Sequence, residues 1–234
     1  MQDNPSVVLK GVRSIAFEER PIPQLKDPHY VKIAIKKTGI CGSDFAYYAT
    51  GACGSFQVKK PMVLGHESSG VITEIGSAVR TLKVGDRVAC EPGVPSRYSY
   101  EYKSGHYNLC PHMAFAATPP YDGTLCRYYV LRAVFCVKLR DRVSFEEGAL
   151  VEPLSVAVHA NKRAETHCGD RLLVMGAGPV GLLIAGAGRA FGAIKVIIVD
   201  RVQSRLEFAV ENGFATDYFN SENKSADDLA EYIK

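Results

Sequence analysis

Four side chains able to bind a divalent metal are spread over the first two thirds of the 234-residue chain: Cys41, His66, Glu67 and Glu152. A thiolate, an imidazole and a carboxylate are each competent Zn²⁺ ligands, and three protein ligands leave one position open for water or a substrate. Such an open site polarises an alcohol oxygen and favours hydride transfer from the adjacent carbon to a nicotinamide. The alternative is a buried apolar thiol at Cys41 and a surface turn at His66 and Glu67. The spacing alone does not decide between these interpretations.

A glycine-rich turn later in the chain has the spacing of a dinucleotide-binding loop. Its G-x-G-x-x-G pattern, between the apolar run RLLVMG and a helical segment, consists of Gly176, Gly178 and Gly181. Such glycines permit a tight turn and close approach of a pyrophosphate, whose charge the helix N-terminus favours. The next apolar run ends in Asp200, which can accept hydrogen bonds from ribose hydroxyls and would repel a 2′-phosphate. The pattern favours NAD over NADP, although Arg201 and Arg205 weaken this preference, and a nucleotide-free α/β domain is the alternative.

Two patterns of hydrophobicity divide the chain. Up to about residue 140, short β-rich runs alternate with turn signals, which is typical of a barrel or sandwich. A helical period begins at Ser144, an expected N-cap, and Pro153 is expected to kink or divide that helix. After residue 168, strands and helices alternate as βαβαβα, the pattern of a parallel, doubly wound sheet. We therefore predict a β domain over residues 1–158 and an α/β domain over residues 159–234.

Composition and charge limit the possible partners. The chain is 47% hydrophobic and carries a net charge of +3 without a Lys/Arg block, so we expect a small-molecule partner, not nucleic acid or a membrane. The N-terminal sequence has neither the basic nor the apolar region of a signal peptide, which favours a cytoplasmic location. The apolar run 172–188 is shorter than the ~20 residues of a membrane span and is interrupted by Pro179.

Several motifs resemble the zinc-dependent medium-chain alcohol dehydrogenase family. They are CGSD at 41–44, GHESSGVITEIGSAV at 65–79, VGDRVA at 84–89 and VEPLSVAVHA at 151–160. The stretch YNLCPHMAFAATPPYDGTLCRYY at 107–129 narrows the resemblance to the polyol branch, the sorbitol and xylitol dehydrogenases, particularly the fungal D-xylulose reductases. The resemblance implies a GroES-like, β-barrel-type catalytic domain followed by a Rossmann NAD-binding domain.

The resemblance also implies roles for individual residues. The implied ligands of one catalytic zinc are Cys41, His66, Glu67 and Glu152, the last at or beside the fourth position through water. Ser43 would hydrogen-bond the reacting hydroxyl, and Asp44 would support a ligand. The implied polyol contacts are Tyr47, Phe115, Thr118 and Glu152, and the implied NAD contacts are Val180, Asp200 and Arg205. The implied reaction oxidises a secondary hydroxyl of xylitol or a similar polyol to a ketose, and NAD⁺ accepts the hydride.

The sequence departs from the family pattern at functionally important positions. Where many members have four structural-zinc cysteines, this chain has Ser96, Ser99, Tyr102 and Cys110, so we predict no structural zinc. Ala46 replaces a family histidine, and a methyl group cannot relay a proton. The family's His-Gly-Arg-Ile-Gly-Asn becomes Thr50, Gly51, Ala52, Cys53, Gly54 and Ser55. These changes favour an alternative: a catalytically impaired or inactive relative that retains zinc or partial nucleotide binding.

Length is a further departure. Family members run to roughly 350 residues, comparable with two full domains. We therefore expect residues 159–234 to form the N-terminal half of a Rossmann domain, without strands 4 to 6 of the 3-2-1-4-5-6 order. The family is usually homo-oligomeric, and its main contacts would lie in the absent half. A quinone-reductase-like function is disfavoured, because it would not need Cys41, His66 and Glu67.

Overall fold

The computed structural model describes residues 3–25 and 27–234. The chain forms two compact units, one ending at Glu152 and the other beginning at Pro153. This division lies within a long helix, Phe145–Arg163. The same helix contains residues 158 and 159, between which the sequence analysis placed the domain boundary.

The first unit consists mainly of short strands. In chain order they are β1 (Asn4–Gly11), β2 (Ser14–Arg20), β3 (Tyr30–Gly39), β4 (Ala52–Cys53), β5 (Phe56–Gln57), β6 (Met62–Val63), β7 (Glu67–Ile75), β8 (Arg87–Cys90), β9 (Gly93–Val94), β10 (Ala114–Phe115), β11 (Tyr128–Arg132) and β12 (Cys136–Lys138). The helices are α1 (Gly42–Thr50), α2 (Tyr100–Lys103) and α3 (Phe145–Arg163), with 3₁₀ turns at Tyr107–Leu109 and Ala133–Phe135. Each strand predicted from the sequence overlaps an observed strand, so the predicted β character is confirmed.

The largest sheet has the strand order β11-β3-β7-β8-β12, and all its pairs are antiparallel. Its core includes Val31, Ile33, Ile72, Val88 and Leu131, which are almost inaccessible to solvent. Side chains of this kind pack well on a pleated, half-buried surface. Strands β3 and β7 remain paired to the point where Gly39 lies opposite Glu67. The sheet therefore brings the residues before Cys41 next to those after His66.

Helix α1 begins directly after Cys41 and was not predicted from the sequence, which indicated only short β-rich runs in this region. The carboxylate of Asp44 accepts a hydrogen bond from the Cys41 backbone N–H at 3.1 Å, which satisfies a donor at the start of the helix. Asp44 and Tyr47 are the buried side chains of α1. Their spacing of three residues places both on one face of the helix.

Helix α3 has the N-terminus that the sequence predicted. The backbone N–H of Glu147 donates to Ser144 Oγ at 3.1 Å, and Glu147 Oε2 accepts from the Ser144 N–H at 2.6 Å, which is a capping box. Pro153 was expected to kink or divide the helix; it does not divide it, because α3 continues through it, and the kink stays a prediction. Proline removes only one N–H from the hydrogen-bond ladder, and the turns on either side remain helical.

The second unit has the predicted alternation of strands and helices. It contains β13 (Arg171–Met175), α4 (Pro179–Ala190), β14 (Lys195–Asp200), α5 (Gln203–Glu211), β15 (Asp217–Asn220) and α6 (Ala226–Tyr232). The strands pair in parallel in the order β13-β14-β15. Val196, Ile198 and Leu206 are fully buried in its core. The predicted parallel sheet is confirmed, and its carboxyl edge carries the glycine-rich turn.

The apolar run 172–188 is divided between β13, a turn and α4. Within the residues that the structure describes, no helix combines the length and the hydropathy that a membrane span requires.

Candidate functional site

Three of the predicted ligands converge in the first unit. Cys41 lies at the N-cap of α1, His66 immediately precedes β7, and Glu67 begins that strand. One ligand atom of each residue lies within 4.8 Å of the others. Zinc–ligand bonds are about 2.0–2.3 Å long, so atoms this close can share one ion after small side-chain adjustments. Cys41 and His66 are 25 positions apart in sequence, and the pairing of β3 with β7 brings them together.

The environment of His66 fits a metal ligand. Its side chain is buried, with 6% exposure, and its Nδ1 atom has no hydrogen-bond partner within residues 3–25 and 27–234. Nδ1 lies 4.0 Å from Asp44 Oδ1, which is beyond hydrogen-bonding distance. A buried polar atom without a partner costs about 1–3 kcal/mol. An imidazole beside a thiolate and a carboxylate is a donor set that suits Zn²⁺.

Asp44 connects the two segments that carry these ligands. Its Oδ2 accepts from the Cys41 backbone N–H at 3.1 Å, and its Oδ1 accepts from the Gly65 backbone N–H at 2.9 Å. Asp44 is only 2% exposed. A buried carboxylate with two backbone donors holds both segments in place, so Asp44 fixes the backbone beside Cys41 and His66.

Glu152 lies outside the group of three atoms that share the 4.8 Å limit. It is nevertheless close enough to interact electrostatically with His66 and Glu67. Burial raises the pKa of Glu152, the nearby His66 opposes this change, and the Glu67 carboxylate adds to it. Glu152 is therefore a neighbour of the ligand cluster, at a greater distance than Cys41, His66 and Glu67 are from one another.

The residues expected to contact a polyol lie around the same cluster. Ser43 follows Cys41 by two positions on α1. The Phe115 ring meets the His66 ring edge-on, with centroids 5.5 Å apart. Burial raises the pKa of Tyr47, and a side-chain hydrogen bond from Thr118 opposes this change. Phe115 thus contacts a ligand residue directly, whereas Tyr47 interacts with Thr118 and with the Asp44 that positions the ligands.

Two cavities of about 420 and 430 Å³ lie elsewhere in the first unit. The cavity of about 430 Å³ lies beside residues 50–55, where the sequence departs from the family pattern. It is lined by Ser55, Phe56, Lys59 and Lys60, together with Pro119 and Pro120. The lining of the other includes Arg20, Asp122 and several tyrosines and prolines. Neither lining includes a predicted zinc ligand. The candidate metal site is therefore recognised by its donor atoms and not by cavity volume.

The positions that correspond to a structural zinc form a hydrogen-bonded loop. The Ser96 backbone N–H donates to Cys110 Sγ at 3.3 Å, and the Tyr102 N–H donates to Ser99 Oγ at 3.1 Å as the cap of α2. Serine hydroxyls and one thiol provide these contacts where the family pattern has four thiolates.

The glycine-rich turn of the second unit has the conformation that its sequence predicts. Gly176 follows β13 with φ +103°, a region that favours glycine. A Cβ atom at Gly181 would overlap the Gly176 carbonyl oxygen, whereas one at Gly178 would meet nothing within 4 Å. Gly178 is the N-cap of α4, and Val180 in its first turn is 42% exposed. The loop thus leaves the N-terminus of α4 open for a pyrophosphate.

Asp200 ends β14 and contacts this turn directly. Its Oδ2 accepts from the Ala177 N–H at 2.8 Å, and its Oδ1 accepts from the backbone N–H groups of Arg201 and Val202 at 2.8 and 2.9 Å. These bonds, Ala177 first, and the nearby charge of Arg205 lower the pKa of Asp200. A carboxylate has about four acceptor positions. Three are occupied, so the two ribose bonds expected from sequence would require one of these backbone bonds to be shared or released.

The sequence analysis did not identify one residue that lies beside the metal cluster. Gly39 lies opposite Glu67 in the β3–β7 register, and a Cβ atom at this position would overlap the Glu67 carboxylate. Its only sequence signal is a glycine two positions before Cys41, and its importance becomes visible once the strand register is known.

Comparisons with known proteins agree with this architecture. The family described as "Alcohol dehydrogenase GroES-like domain" matches residues 27–141. Sorbitol dehydrogenase 1 of Saccharomyces cerevisiae is 60% identical over 99% of this chain, and a probable D-xylulose reductase A of Aspergillus fumigatus is 56% identical over 99%. A short chain alcohol dehydrogenase of Escherichia coli CFT073, solved in complex with NADH, superimposes with a TM-score of 0.89 at 30% identity, covering 99% of this chain and 67% of that one.

The chain spans 65% and 64% of the length of these two fungal relatives. The similarity extends through both units, and the expected GroES-like domain with a partial Rossmann-type domain is confirmed. The chain belongs to the medium-chain alcohol dehydrogenase family, within the branch that contains the fungal sorbitol dehydrogenases and D-xylulose reductases.

Proposed function

We propose that this chain contributes the zinc site and the NAD-binding loop of a polyol dehydrogenase. The substrate would be xylitol, sorbitol or a similar polyol, and the product the corresponding ketose. The observation that carries this proposal is the convergence of Cys41, His66 and Glu67 to within 4.8 Å. The high identity to proteins named sorbitol dehydrogenase and D-xylulose reductase supports the substrate class.

The chain's own residues would bind and orient the reacting groups. When bound, zinc would supply Lewis-acid polarisation of the alcohol oxygen, and NAD⁺ would supply the hydride acceptor. Cys41, His66 and Glu67 would hold the metal, with Glu152 beside them. Ser43 would hydrogen-bond the substrate hydroxyl and relay its proton, giving up its own hydroxyl proton as it accepts that of the substrate. Proton release would continue through water, because Ala46 has no group that can accept a proton.

The pocket around the reacting carbon would be formed by the residues that contact the ligand cluster. Phe115, packed edge-on against His66, would exclude water from one side. The neighbouring hydroxyls of Tyr47 and Thr118 would provide polar contacts for the remaining hydroxyls of a polyol. This mixture of one apolar and several polar groups suits a substrate with a hydroxyl on every carbon.

The nucleotide site would use the residues of the glycine-rich turn. The pyrophosphate would approach Gly178 and the N-terminus of α4, with Val180 and Arg205 at its sides. Asp200 would accept a ribose hydroxyl, and its negative charge would disfavour a 2′-phosphate. We therefore propose NAD as the cofactor. We also propose one zinc ion per chain, because Cys110 is the only thiol among the four positions that correspond to a structural zinc.

Metal content and turnover together test this proposal. The purified protein should contain about one zinc per chain, lose it to a chelator and recover it on zinc addition. Cys41→Ser should abolish zinc binding, whereas Cys53→Ser, which changes a neighbouring thiol outside the cluster, should not. NADH formation with xylitol or sorbitol should depend on the same metal. A protein that binds no zinc, or forms NADH equally well after metal removal, would contradict the proposed mechanism.

Ala46 favours a second candidate function, a catalytically impaired relative that retains zinc or nucleotide binding. The methyl group lies on α1 between Cys41 and Thr50, and the Thr50 hydroxyl is engaged with the Ala46 carbonyl at 2.9 Å. Neither side chain replaces the acid–base group of a histidine. Stoichiometric zinc together with undetectable NADH formation for several polyols would favour this candidate.

A further inference from the structure

The Glu67 carboxylate occupies space that is available only because residue 39 is glycine. Gly39 is paired with Glu67 at the end of the β3–β7 ladder. A methyl group on Gly39 would come closer than 3.0 Å to Glu67 Oε2, and would lie 3.2 and 3.3 Å from Glu67 Cβ and Cδ. The side chain of Glu67 therefore folds across the Gly39 backbone.

Backbone conformation does not explain this glycine. Gly39 is absent from the glycines with positive φ, among which Gly65 has φ +87°. Any residue can adopt an extended conformation of this kind. The requirement for glycine at position 39 thus arises from the neighbouring carboxylate.

The two strands cannot readily separate to admit a larger residue. Thr38 Oγ1 and Ser68 Oγ are hydrogen-bonded at 2.8 Å, and Ser68 Oγ is also hydrogen-bonded to Thr124 Oγ1. Ser68 and Thr124 are 1% and 0% exposed. This hydroxyl cluster (Thr38, Ser68 and Thr124) lies one residue beyond Gly39 and Glu67 in the ladder. It fixes the backbone at the point where an added methyl group would need space.

The atom that would move is the end of a flexible side chain. At Gly70, by contrast, a Cβ atom would meet the backbone carbonyl of Ala34, which cannot move without disturbing the sheet. At Gly39 the Glu67 carboxylate can rotate away, and the remaining 3.2 Å approach to Glu67 Cβ requires a shift of only a few tenths of an ångström. Rotation would, however, take its oxygen away from Cys41 and His66.

We propose that Gly39 is a positioning residue that keeps the Glu67 carboxylate in place as a metal ligand. This inference rests on the zinc site of the proposed function. It assigns Gly39 no contact with substrate or metal, and its effect is exerted entirely through Glu67.

The test compares the zinc affinity of Gly39→Ala with that of wild type, by competition with a chromogenic chelator. The affinity should fall about tenfold or more, as for other residues that orient a ligand. The absorption spectrum of the Co²⁺-substituted protein should also change, because the carboxylate no longer occupies its position. Gly42→Ala is the matched control. Gly42 lies on the other side of Cys41, is exposed, and has nothing within 4 Å of an added Cβ.

Two further measurements keep the inference falsifiable. Metal-free Gly39→Ala should show only a small shift of its urea unfolding midpoint from that of wild type, since the severest clash falls on a mobile carboxylate. A large shift would overturn the inference, because the strands would then have moved. In a Glu67→Ala background, Gly39→Ala should weaken zinc binding less than about twofold further, since coupled residues are non-additive. If the losses of zinc affinity caused by Gly39→Ala and Glu67→Ala were additive, the inference would also be overturned.

The outcomes separate this inference from the proposed function. If wild type binds no zinc, the metal site fails and the positioning role fails with it. If wild type and Gly39→Ala bind zinc equally well, only the role of Gly39 is refuted, and the metal site stands.

Discussion

The Asp44 carboxylate accepts a hydrogen bond from the backbone N–H of Gly65 at 2.9 Å, and both residues are buried. The two residues belong to different segments, α1 and the loop before β7. Through its other oxygen, Asp44 also accepts from the Cys41 N–H. One carboxylate therefore sets the positions of the residues that flank Cys41 and His66, without itself lying among the three clustered ligand atoms.

Replacement of this carboxylate should weaken both folding and metal binding. Asp44→Asn retains one oxygen acceptor and directs an NH₂ group toward the second backbone donor. We expect a loss of about 1–3 kcal/mol in the free energy of unfolding and a decrease of about 10–100-fold in zinc affinity. Urea unfolding of the metal-free protein and competition with a zinc chelator measure the two effects.

Asp122→Asn provides the control for this change. Asp122 Oδ1 also accepts from a backbone N–H, that of Val63, at 2.8 Å, but it lies outside the ligand cluster. The Asp122→Asn substitution should lower the free energy of unfolding without changing the zinc affinity. Equal zinc affinities in wild type and Asp44→Asn would show that Asp44 has only a structural role.

The hydroxyl cluster should make a measurable contribution to stability. Thr124→Val removes a fully buried hydroxyl that bonds to Ser68 and keeps the shape of the side chain. We expect a loss of about 1–3 kcal/mol, because the buried Ser68 hydroxyl loses one of its two hydrogen-bond partners and keeps only Thr38. Thr124→Ser should recover most of this loss. Thr81→Val, at an exposed position outside this cluster, should change the free energy of unfolding by less than about 0.5 kcal/mol.

Much of the fold follows from local sequence patterns, whereas the site depends on contacts between distant segments. The β-rich run that forms β3 and the N-cap at Ser144 are local signals, and the structure confirms both. Helix α1 gave no such signal, because its stability depends on Asp44 reaching Gly65, 21 residues away. The role of Gly39 was likewise hidden until the β3–β7 register placed it opposite Glu67. Cys41 and His66 were found because their donor chemistry is visible without the fold.

Two glycines of the nucleotide loop should respond differently to alanine. Gly181→Ala should destabilise the protein by about 1–3 kcal/mol, because its methyl group would overlap the Gly176 carbonyl and overpacking outweighs the better helix propensity. Gly178→Ala has open space and should cost no more than about 1 kcal/mol as an N-cap change. It should nevertheless weaken NAD binding, because the methyl group would occupy the path of the pyrophosphate. Thermal unfolding and NADH fluorescence titration distinguish these effects. Equal NAD affinity in Gly178→Ala and wild type would refute this placement of the pyrophosphate.

The stability of the second unit should depend on pH through Asp200. Hydrogen bonds from the backbone N–H groups of Ala177, Val202 and Arg201 lower the pKa of Asp200 in the folded protein below the ~3.9 of an unfolded chain. The resulting stabilisation is fully present above about pH 4 and disappears as the pH falls through the lower, folded pKa. Asp200→Asn should therefore cost about 1 kcal/mol at neutral pH, a modest value because the carboxylate is partly exposed and its charge is screened.

Urea unfolding of both proteins at several pH values checks this linkage. The difference between wild type and Asp200→Asn should be constant from neutral pH to about pH 5 and should narrow below about pH 4. A difference that stays the same down to the lowest pH at which both proteins fold would contradict the prediction. Asp217→Asn, at the start of the neighbouring strand β15, is a suitable control for a general effect of removing a carboxylate.

Restoring a histidine at position 46 should increase turnover. Ala46 lies partly exposed on α1, one residue before Tyr47 and three after Ser43, so an imidazole there could receive the proton that Ser43 passes on. One acid–base group contributes about 10²–10⁴-fold to a rate, and Ala46→His should recover part of this range in kcat while leaving zinc content unchanged. The Thr50 bond to the backbone carbonyl of residue 46 does not depend on the side chain, so the helix should tolerate the change. Phe45→His, at an exposed position of the same helix only two residues after Ser43 and therefore on a different face, should not raise kcat. If the two variants turn over polyols at the same rate, water already removes the proton and Ala46 is not what limits the reaction.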